Sequence, residues 1–555
     1  MWPIQLVEGE STILPTNLGE RLPRLDPRWS EVSDEFTEDS GQFQERHYAE
    51  FVAFMPDVQR FLYGEGGQVR AKLGAARRHA RGILDDSEDA GPREGYGGSP
   101  IHVYRRRDIA AARVTLRPGD APIDFAVARV ELYFFFDVDI AIFAVELVAR
   151  DLTLDQAQDA LFRLGRAYPT NWTEGGEGAN CCARFALLDN EGRELAVSDY
   201  ADKDAFLRFV CEHRTPRIAA HWQYLLAPLV PEQIADGAGR EAKLIPFRPL
   251  EHQRIPLFAA LAVESPEALT REDWMRLALA APAGVAGVAP FSPAFLSDFE
   301  AEYCYDRYWD PGYGHDQITT RMLCSGHAFV MVGCASDPRF IDASNGIVGQ
   351  FRHQYFLLGM IAHFHRAGLL VFRDRLVTAI SGLTDYAPDT VKAFKRVVRL
   401  THENFLRFTH RYWFHELSNQ AAARDLFAMW VRQLGTERLF AEVRQEVLDM
   451  IDYLDSDALR RQANTVVRLT VVTFFGLIVS LTMGFLGAEL ISLHDMPWWK
   501  KALHVALVVL PMAGLILYAA KKSQRLAEFI DAISNERLSL ADKWRAFCGV
   551  WRRKG

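Results

Sequence analysis

The sequence predicts an α/β domain followed by a long helical region and two C-terminal membrane-spanning helices. Three observations lead to this prediction. Strand and helix patterns alternate through the first 345 residues, helical patterns dominate after Gln350, and two long uncharged runs lie near the C-terminus. We therefore expect a cytoplasmic α/β domain at 1–345, a helical stalk region at 346–465, a transmembrane hairpin at 466–521 and a cytoplasmic amphipathic helix at 522–555.

Length and composition favour several domains with a small membrane part. A chain of 555 residues is too long for one core, and 49% hydrophobic with 24% charged residues suits a large soluble part. The net charge of −9 argues against nucleic acid as a partner. The seven cysteines include no C-x-x-C pair, which excludes a zinc-ribbon motif and favours a reducing cytoplasm.

The strand signals lie in the N-terminal domain. Residues 1 to about 46 are polar and dotted with proline, so we expect a loosely structured arm. The segment 126–152 is rich in β-branched and aromatic residues, and Asp137 and Asp139 mark a turn between two central strands of a mixed sheet. Thr153 is the expected N-cap of a helix, and a hairpin is expected around 190–192.

The helical region is expected to contain helices at about 350–383, 387–434 and 436–487. An apolar stripe recurs at helical spacing on the last helix. Its residues are Leu439, Val443, Val447, Met450 and Leu454. Because this stripe would otherwise face water, we expect it to pack between copies of the chain. The region's six histidines form no i,i+4 pair, so a zinc clamp is not predicted.

Two uncharged runs are long enough to cross a bilayer as helices. They are 20 residues from Leu469 to Ala488 and 19 residues from Ala502 to Ala520, predicted to be the two spans at about 469–488 and 502–520. Basic residues cluster before the first span and after the second. By the positive-inside rule both termini are expected in the cytoplasm, with a short outer loop between the spans.

The end of the first span reads Gly487-Ala488-Glu489, and the loop contains Met496-Pro497. This hairpin resembles the CorA-like (2-TM-GxN) divalent metal-ion transporters, whose first span ends in Gly-Met-Asn and whose loop carries a Met-Pro pair. Only the glycine of that signature is kept. The resemblance implies a homopentamer in the inner (plasma) membrane, with Mg²⁺ or another divalent cation as the transported or regulatory ion and no required cofactor.

The resemblance also implies that the first span lines a pore. One face of this span carries small or polar positions with one leucine, and Glu489 follows at the predicted outer mouth. The expected pore-lining residues are Thr473, Leu477, Ser480, Gly484, Gly487 and Glu489. An alternative remains open, because Gly476, Ser480 and Gly484 also form a small-xxx-small packing face.

Acidic residues are the candidate cation ligands. A ring of Glu489 carboxylates would concentrate cations, whereas the asparagine of the family suits a hydrated Mg²⁺, so selectivity for Mg²⁺ stays open. The alternative for Glu489 is an interfacial acid facing headgroups or Lys500. Asp495 lies beside Met496 and Pro497 in the predicted outer loop.

A second set of acids lies on the stalk, just inside the membrane. Asp452 and Asp455 belong to it, and the resemblance implies that such acids bind regulatory Mg²⁺ at subunit contacts. The alternative is a solvated acidic face of a helix.

These patterns support a cation channel or transporter as the leading hypothesis. The rival hypothesis is a membrane-anchored binding or signalling scaffold that has lost selective transport. The sequence contains no P-loop, no G-x-S-x-G, no G-x-G-x-x-G after a strand and no H-E-x-x-H. We therefore predict no catalytic residue and no enzymatic activity.

Overall fold

The computed structural model describes most of the chain up to the end of the predicted first span. The described residues are 1–7, 18–32, 45–64, 101–135, 138–237, 244–251, 253–285, 287–310, 319–344, 346–381, 388–487, 497–499, 503, 506, 510, 511 and 514. At 388–392 and at most positions between 457 and 487 only the backbone is described. The chain divides into two compact units, Met1–Val447 and Leu448–Gly555.

Fourteen strands are formed by the described residues of the first unit. They are β1 Trp2–Leu6, β2 Trp29–Glu31, β3 Ile101–Arg106, β4 Ala111–Thr115, β5 Ile123–Phe135, β6 Ile140–Val148, β7 Arg184–Leu188, β8 Glu194–Val197, β9 Leu229–Pro231, β10 Ile245–Pro249, β11 Leu257–Val263, β12 Cys304–Tyr305, β13 Arg321–Cys324 and β14 Ala328–Cys334.

Helices connect and cover these strands. Those before residue 346 are Leu18–Leu25, Glu45–Val52, Pro56–Tyr63, Leu154–Arg163, Lys203–His213, Ala220–Leu226, Glu232–Gly237, Arg271–Ala278, Pro293–Leu296, Phe299–Tyr303 and Pro338–Ile341. The later ones are Ile347–Gln350, a π-helical turn at Phe351–Tyr355, Phe356–Ser381, Pro388–Arg411, Ala421–Leu434 and Thr436–Gly487. The predicted α/β region and long C-terminal helix are both present.

The larger sheet has ten strands in the order β8-β7-β4-β5-β6-β1-β10-β9, with β2 and β3 as a branch. The branch starts at β5, because β4 pairs with its first half and β3 with its second half on the edge opposite β6. A register shift between Val127 and Arg129 separates the two halves. All neighbours are antiparallel except β9 and β10, so the predicted mixed sheet is confirmed.

Strands β5 and β6 confirm the predicted pair of central strands. The chain turns at Val138-Asp139 between them. Leu132 and Phe134 belong to the core on one face of the sheet, whereas Phe135 stacks on Phe364 on the other face, with ring centroids 4.2 Å apart. Because both faces are buried, this segment reads as a continuous apolar run.

The predicted helix cap and hairpin are also confirmed. The backbone N–H of Gln156 donates to Thr153 Oγ1 (3.2 Å), and the N–H of Thr153 donates to Gln156 Oε1 (2.9 Å), which is a capping box. The turn between β7 and β8 is held by Asp189, whose carboxylate accepts the backbone N–H of Glu191 at 2.8 Å.

The N-terminal arm was predicted wrongly. Residues Trp2–Leu6 form β1, a fully buried strand between β6 and β10, and the helix Leu18–Leu25 follows. Proline usually demotes a strand to an edge. Here the carbonyl of Pro3 accepts the N–H of Leu250, the residue just after the end of β10. The N–H that Pro3 lacks would face the same position, so its absence costs no hydrogen bond between the paired residues of β1 and β10.

The second sheet has four strands in the order β11-β14-β13-β12. One face packs against the helix Arg271–Ala278. On the other face Phe258 stacks on Trp430 at 5.7 Å and lies 6.3 Å from Phe356, the first residue of the helix Phe356–Ser381. This helix therefore contacts both sheets, since its Phe364 stacks on β5.

Among the described residues, the stretch Ile347–Ser381 meets the length and composition criteria for a membrane-crossing helix, with a mean hydropathy of 1.4. Of its most apolar window, 78% is buried within the chain. Its apolar character on all sides is accounted for by its contacts with two sheets and neighbouring helices. The two spans predicted from sequence lie elsewhere, at Leu469–Gly487 within the last helix and at positions mostly outside the described residues.

Three of the five residues of the predicted apolar stripe are buried within one chain, and Leu439 and Met450 are half-buried. Val443 and Val447 are 0% and 2% exposed, and Leu454 is 5% exposed. Beside the stripe, Phe440 stacks on Trp413 at 4.3 Å. The expectation that a second copy is needed to bury this stripe was therefore wrong. An amphipathic pattern shows that a helix has an apolar face, but it does not show which chain covers that face.

Replacing Val447 with Asp should destabilise the chain itself. The substitution buries an unpaired carboxylate, and we expect a loss of at least about 2 kcal/mol in the free energy of unfolding. Thermal unfolding at several protein concentrations measures it, and the loss should not depend on concentration. Leu448→Asp is the matched control, because Leu448 is 42% exposed. A loss that shrinks as concentration rises would instead place Val447 between copies.

Gly359 is required where the helix Phe356–Ser381 approaches the second sheet. A Cβ at Gly359 would lie 2.3 Å from the ring of Phe258 and 3.0 Å from Trp430. Gly359→Ala should lower the free energy of unfolding by about 1–3 kcal/mol, because a packed core resists added volume. Gly175→Ala is the control, since its Cβ would meet only Thr173 at 3.7 Å. Equal melting temperatures of the two variants would contradict this close packing.

Candidate functional site

The predicted pore-lining positions lie on one face of the helix Thr436–Gly487. Thr473, Ser480 and Gly484 are exposed on the chain, and Leu477 is 59% exposed. Positions spaced by three and four residues share a helix face, so these four form one open row. The row is available to water, lipid or another copy of the chain.

Hydroxyl groups on this helix are satisfied locally. The hydroxyl of Thr473 donates to the carbonyl of Leu469 at 2.8 Å, and that of Thr470 donates to the carbonyl of Val466 at 2.9 Å. Both bonds reach back one turn along the same helix. The polar groups of these threonines therefore do not require water, which suits a low-dielectric surrounding.

Glycines on the same helix leave open space. A Cβ added at Gly476 or at Gly484 would meet nothing within 4 Å. With Ser480 between them, they form a groove that the described part of the chain does not fill. Such grooves allow helix backbones to approach closely.

The remaining predicted site residues are only partly described. Gly487 is the last residue of the helix, and Pro497 is exposed. Glu489, Asp495 and Met496 lie outside the described residues, as do most of the predicted second span and the predicted helix at 522–555. Their assignments stay predictions.

The predicted stalk acids Asp452 and Asp455 are both exposed. Within the described ranges, no group of three or more His, Cys, Asp or Glu side chains is arranged to hold a metal ion. Two exposed carboxylates on one helix bind a divalent cation weakly unless another copy adds ligands. The predicted regulatory role therefore depends on assembly.

A cleft that sequence reasoning missed lies beside the capped helix Leu154–Arg163. Its volume is about 520 Å³, and Arg117, Asp120, Asp155 and Asp159 line it. Asp159 accepts hydrogen bonds from Arg117 and from the backbone N–H of Ala283 (3.0 Å). The hydrogen bond that Arg117 donates to Asp159 raises the pKa of Arg117. Asp159 therefore links Arg117 and Ala283 across the wall of the cleft, and both hydrogen bonds are structural.

Two of the region's histidines are buried in the core. His365 lies 2.6 Å from the carbonyl of Tyr412 through Nε2, and His363 has no hydrogen-bond partner for either ring nitrogen among the described residues. Burial lowers the pKa of His363 to about 3 and that of His365 to about 4. Both are therefore neutral at pH 7.

Comparison with known proteins identifies no relative of this chain. No family model matches the chain, and neither the curated proteins nor the solved structures give a significant match.

Acid should destabilise the first unit through its buried histidines. The unfolded pKa is about 6.5 and the folded pKa of His363 is about 3, so below pH 6.5 the unfolded state binds more protons. Stability present above pH 6.5 is then lost as pH falls, by up to about 1.4 kcal/mol per pH unit for each such histidine.

In the variant His363→Leu one fewer proton is taken up on unfolding. The free energy of unfolding should therefore fall less steeply between pH 6.5 and pH 4 than it does in wild type. Denaturant unfolding at a series of pH values measures the slope. His415→Leu is the control, because His415 is exposed. Identical slopes for wild type and His363→Leu would show that His363 does not gain its proton on unfolding.

Proposed function

We propose that the protein is a CorA-like membrane cation channel or transporter, anchored by the hairpin of Leu469–Ala488 and Ala502–Ala520. Several copies would surround an axial path lined by the exposed row of Thr473, Leu477, Ser480 and Gly484. The observation that carries this proposal is that the whole row is open on the single chain.

Large apolar side chains on both predicted spans support the membrane part of the proposal. On the first span Leu469 is 66% exposed, and on the second Leu503 and Leu510 are 57% and 69% exposed. Each would cost roughly 1.5–3 kcal/mol if it faced water rather than an apolar surrounding. A lipid bilayer offers that surrounding for helices whose backbone groups are already bonded.

The groove of Gly476, Ser480 and Gly484 supports assembly of several copies. Association of helices in lipid depends on close van der Waals packing, which small residues allow. Two spans of one chain cannot enclose a water-filled path, so conduction requires a ring of copies. We propose the homopentamer that the CorA resemblance implies, in the inner (plasma) membrane with both termini in the cytoplasm.

Divalent cations, with Mg²⁺ as the first candidate, are the proposed cargo. A ring of Glu489 side chains would raise the local cation concentration at the mouth. On the cytoplasmic side, Asp452 and Asp455 are exposed and available to bind Mg²⁺ between copies. The proposal assigns no catalytic residue and no nucleic acid partner.

A membrane-anchored binding scaffold is the second candidate. The hydroxyl of Thr473 donates its proton to the carbonyl of Leu469 in its own helix, so this donor does not need a water-filled path. A row of small residues also packs helices without any water-filled path. The scaffold would keep the assembly and pass no ions.

The test is Mg²⁺ entry into proteoliposomes containing the purified full-length chain. Glu489→Gln should change the entry rate at low ionic strength, and added salt should narrow the difference because it screens the ring of carboxylates. Asp495→Asn is the control, since it lies further from the predicted mouth. No flux above empty vesicles from intact oligomers would exclude transport and favour the scaffold.

A further inference from the structure

A buried arginine and a half-buried arginine lie side by side in the first unit, outside every site described so far. Arg166 and Arg254 face each other in an isolated antiparallel bridge. Backbone hydrogen bonds flank this bridge, from Ala167 N–H to the carbonyl of Gln253 at 3.0 Å and from Ile255 N–H to that of Gly165 at 2.9 Å. Residues directly opposite in such a pair project their side chains to the same side. Arg166 is only 4% exposed.

His327 joins this pair. Its carbonyl accepts the backbone N–H of Leu257 at 2.9 Å, where β11 begins beside β14, three residues after Arg254. Burial first, and then the charges of Arg254 and Arg166, lower the pKa of His327 to about 3. The backbone bond brings His327 to the start of β11, three residues after Arg254, and the imidazole of His327 is neutral at pH 7.

Backbone carbonyls orient both arginines without neutralising them. Nε of Arg166 donates to the carbonyl of Phe162 at 3.0 Å, and Arg254 donates to the carbonyl of Ala280 at 2.7 Å. The carbonyl of Phe162 lies in the last turn of the helix Leu154–Arg163, where a cation is favourable, and Ala280 follows two residues after the helix Arg271–Ala278. A guanidinium has five N–H donors, so most donors of each arginine are left for another partner.

No carboxylate compensates this pair within the part of the chain that the structure describes. Burial and the neighbouring Arg166 lower the pKa of Arg254 to about 10, and burial is also the largest cause of the lowered pKa of Arg166. The buried Arg106 and Arg321 differ, because each forms an ion pair, with Asp108 at 2.6 Å and with Asp306 at 2.7 Å.

A second buried group nearby also lacks a partner. His363, which is 1% exposed, has two ring nitrogens without a hydrogen-bond partner in the described ranges, and burial is the largest cause of its lowered pKa. The carboxylate of Glu251, on the same connection as Arg254, pairs with Arg366 at 3.2 Å. The interior here holds more cationic and donor groups than anionic ones.

We propose that Arg166, Arg254 and His327 form a binding site for the phosphate group of a small soluble molecule. Two guanidinium groups carry the positive charge that a phosphate dianion requires, and their planar donors match its oxygens in pairs. The neutral imidazole of His327 can donate one further hydrogen bond. A bound anion would offset the cost of holding the half-buried Arg254 beside the buried Arg166. This site is independent of ion transport by the hairpin.

The experiment measures thermal unfolding and calorimetric binding of the purified full-length chain with inorganic phosphate, at constant ionic strength set with chloride. Wild type should show a saturable rise in melting temperature. Arg166→Met and Arg254→Met should weaken phosphate binding by about tenfold or more, the usual effect of losing a charge-assisted hydrogen bond. Arg208→Met is the matched control, because Arg208 is exposed on the helix Lys203–His213.

If a methionine variant does not fold, Arg254→Lys replaces it, since lysine keeps the charge and loses the paired donors. Calorimetry of that folded variant should still show weaker phosphate binding than wild type. An equal phosphate effect in wild type, Arg254→Lys and Arg208→Met would overturn the proposal. An acetate effect as large as the phosphate effect would overturn the assignment to phosphate. Neither readout involves Mg²⁺ flux, so failure of the transport proposal is measured separately.

Discussion

Both sheets pack apolar faces against one helix, Phe356–Ser381, and the rest of the first unit is arranged around that contact. Phe135 of β5 stacks on Phe364, while Phe258 of β11 approaches the first turn of the same helix at Phe356. A helix buried on all sides cannot shift to suit one sheet without disturbing the other, because protein interiors are close-packed. The helix therefore fixes the position of the two sheets relative to each other within this unit.

The connection between the sheets is also where charge enters the interior. The segment after β10 carries Glu251 and Arg254 before β11 begins, so it brings ionised groups into a region closed by apolar residues. Glu251 is compensated by Arg366, while Arg254 is turned toward Arg166 and helix carbonyls. Burying like charges together is costly, and proteins retain such arrangements mainly where they bind something. The junction thus combines a structural ion pair with two arginines that have no carboxylate partner among the described residues.

Features encoded by local sequence could be predicted, and features encoded by distant partners could not. Thr153 and Gln156 form their cap within one turn, so the pattern alone was enough. Strand β1 was missed because its five residues include a proline and its partners lie far along the chain. Arg166 and Arg254 give no sequence signal for the same reason, since neither belongs to a motif and only the folded chain brings them together.

The candidate pore face shows the same division. Helical periodicity was sufficient to place Thr473, Leu477, Ser480 and Gly484 on one face, and the structure leaves that face open. Periodicity could not tell whether an apolar face is covered by its own chain, which is why the stripe at Val443 and Val447 was assigned to a partner copy. Identical amphipathic patterns arise from both situations.

The central place of β1 has a consequence for how the protein is made. Trp2–Leu6 pairs with β6 on one side and with β10 on the other, so its second neighbour is synthesised only when the ribosome reaches Ile245–Pro249. Closing so large a loop is entropically slow, and the unpaired strand edges are exposed to aggregation in the meantime. During synthesis β1 therefore stays incompletely paired until β10 has been made. A chaperone that shields its free edge from aggregation is expected to matter more for this protein than for a sheet built from consecutive hairpins.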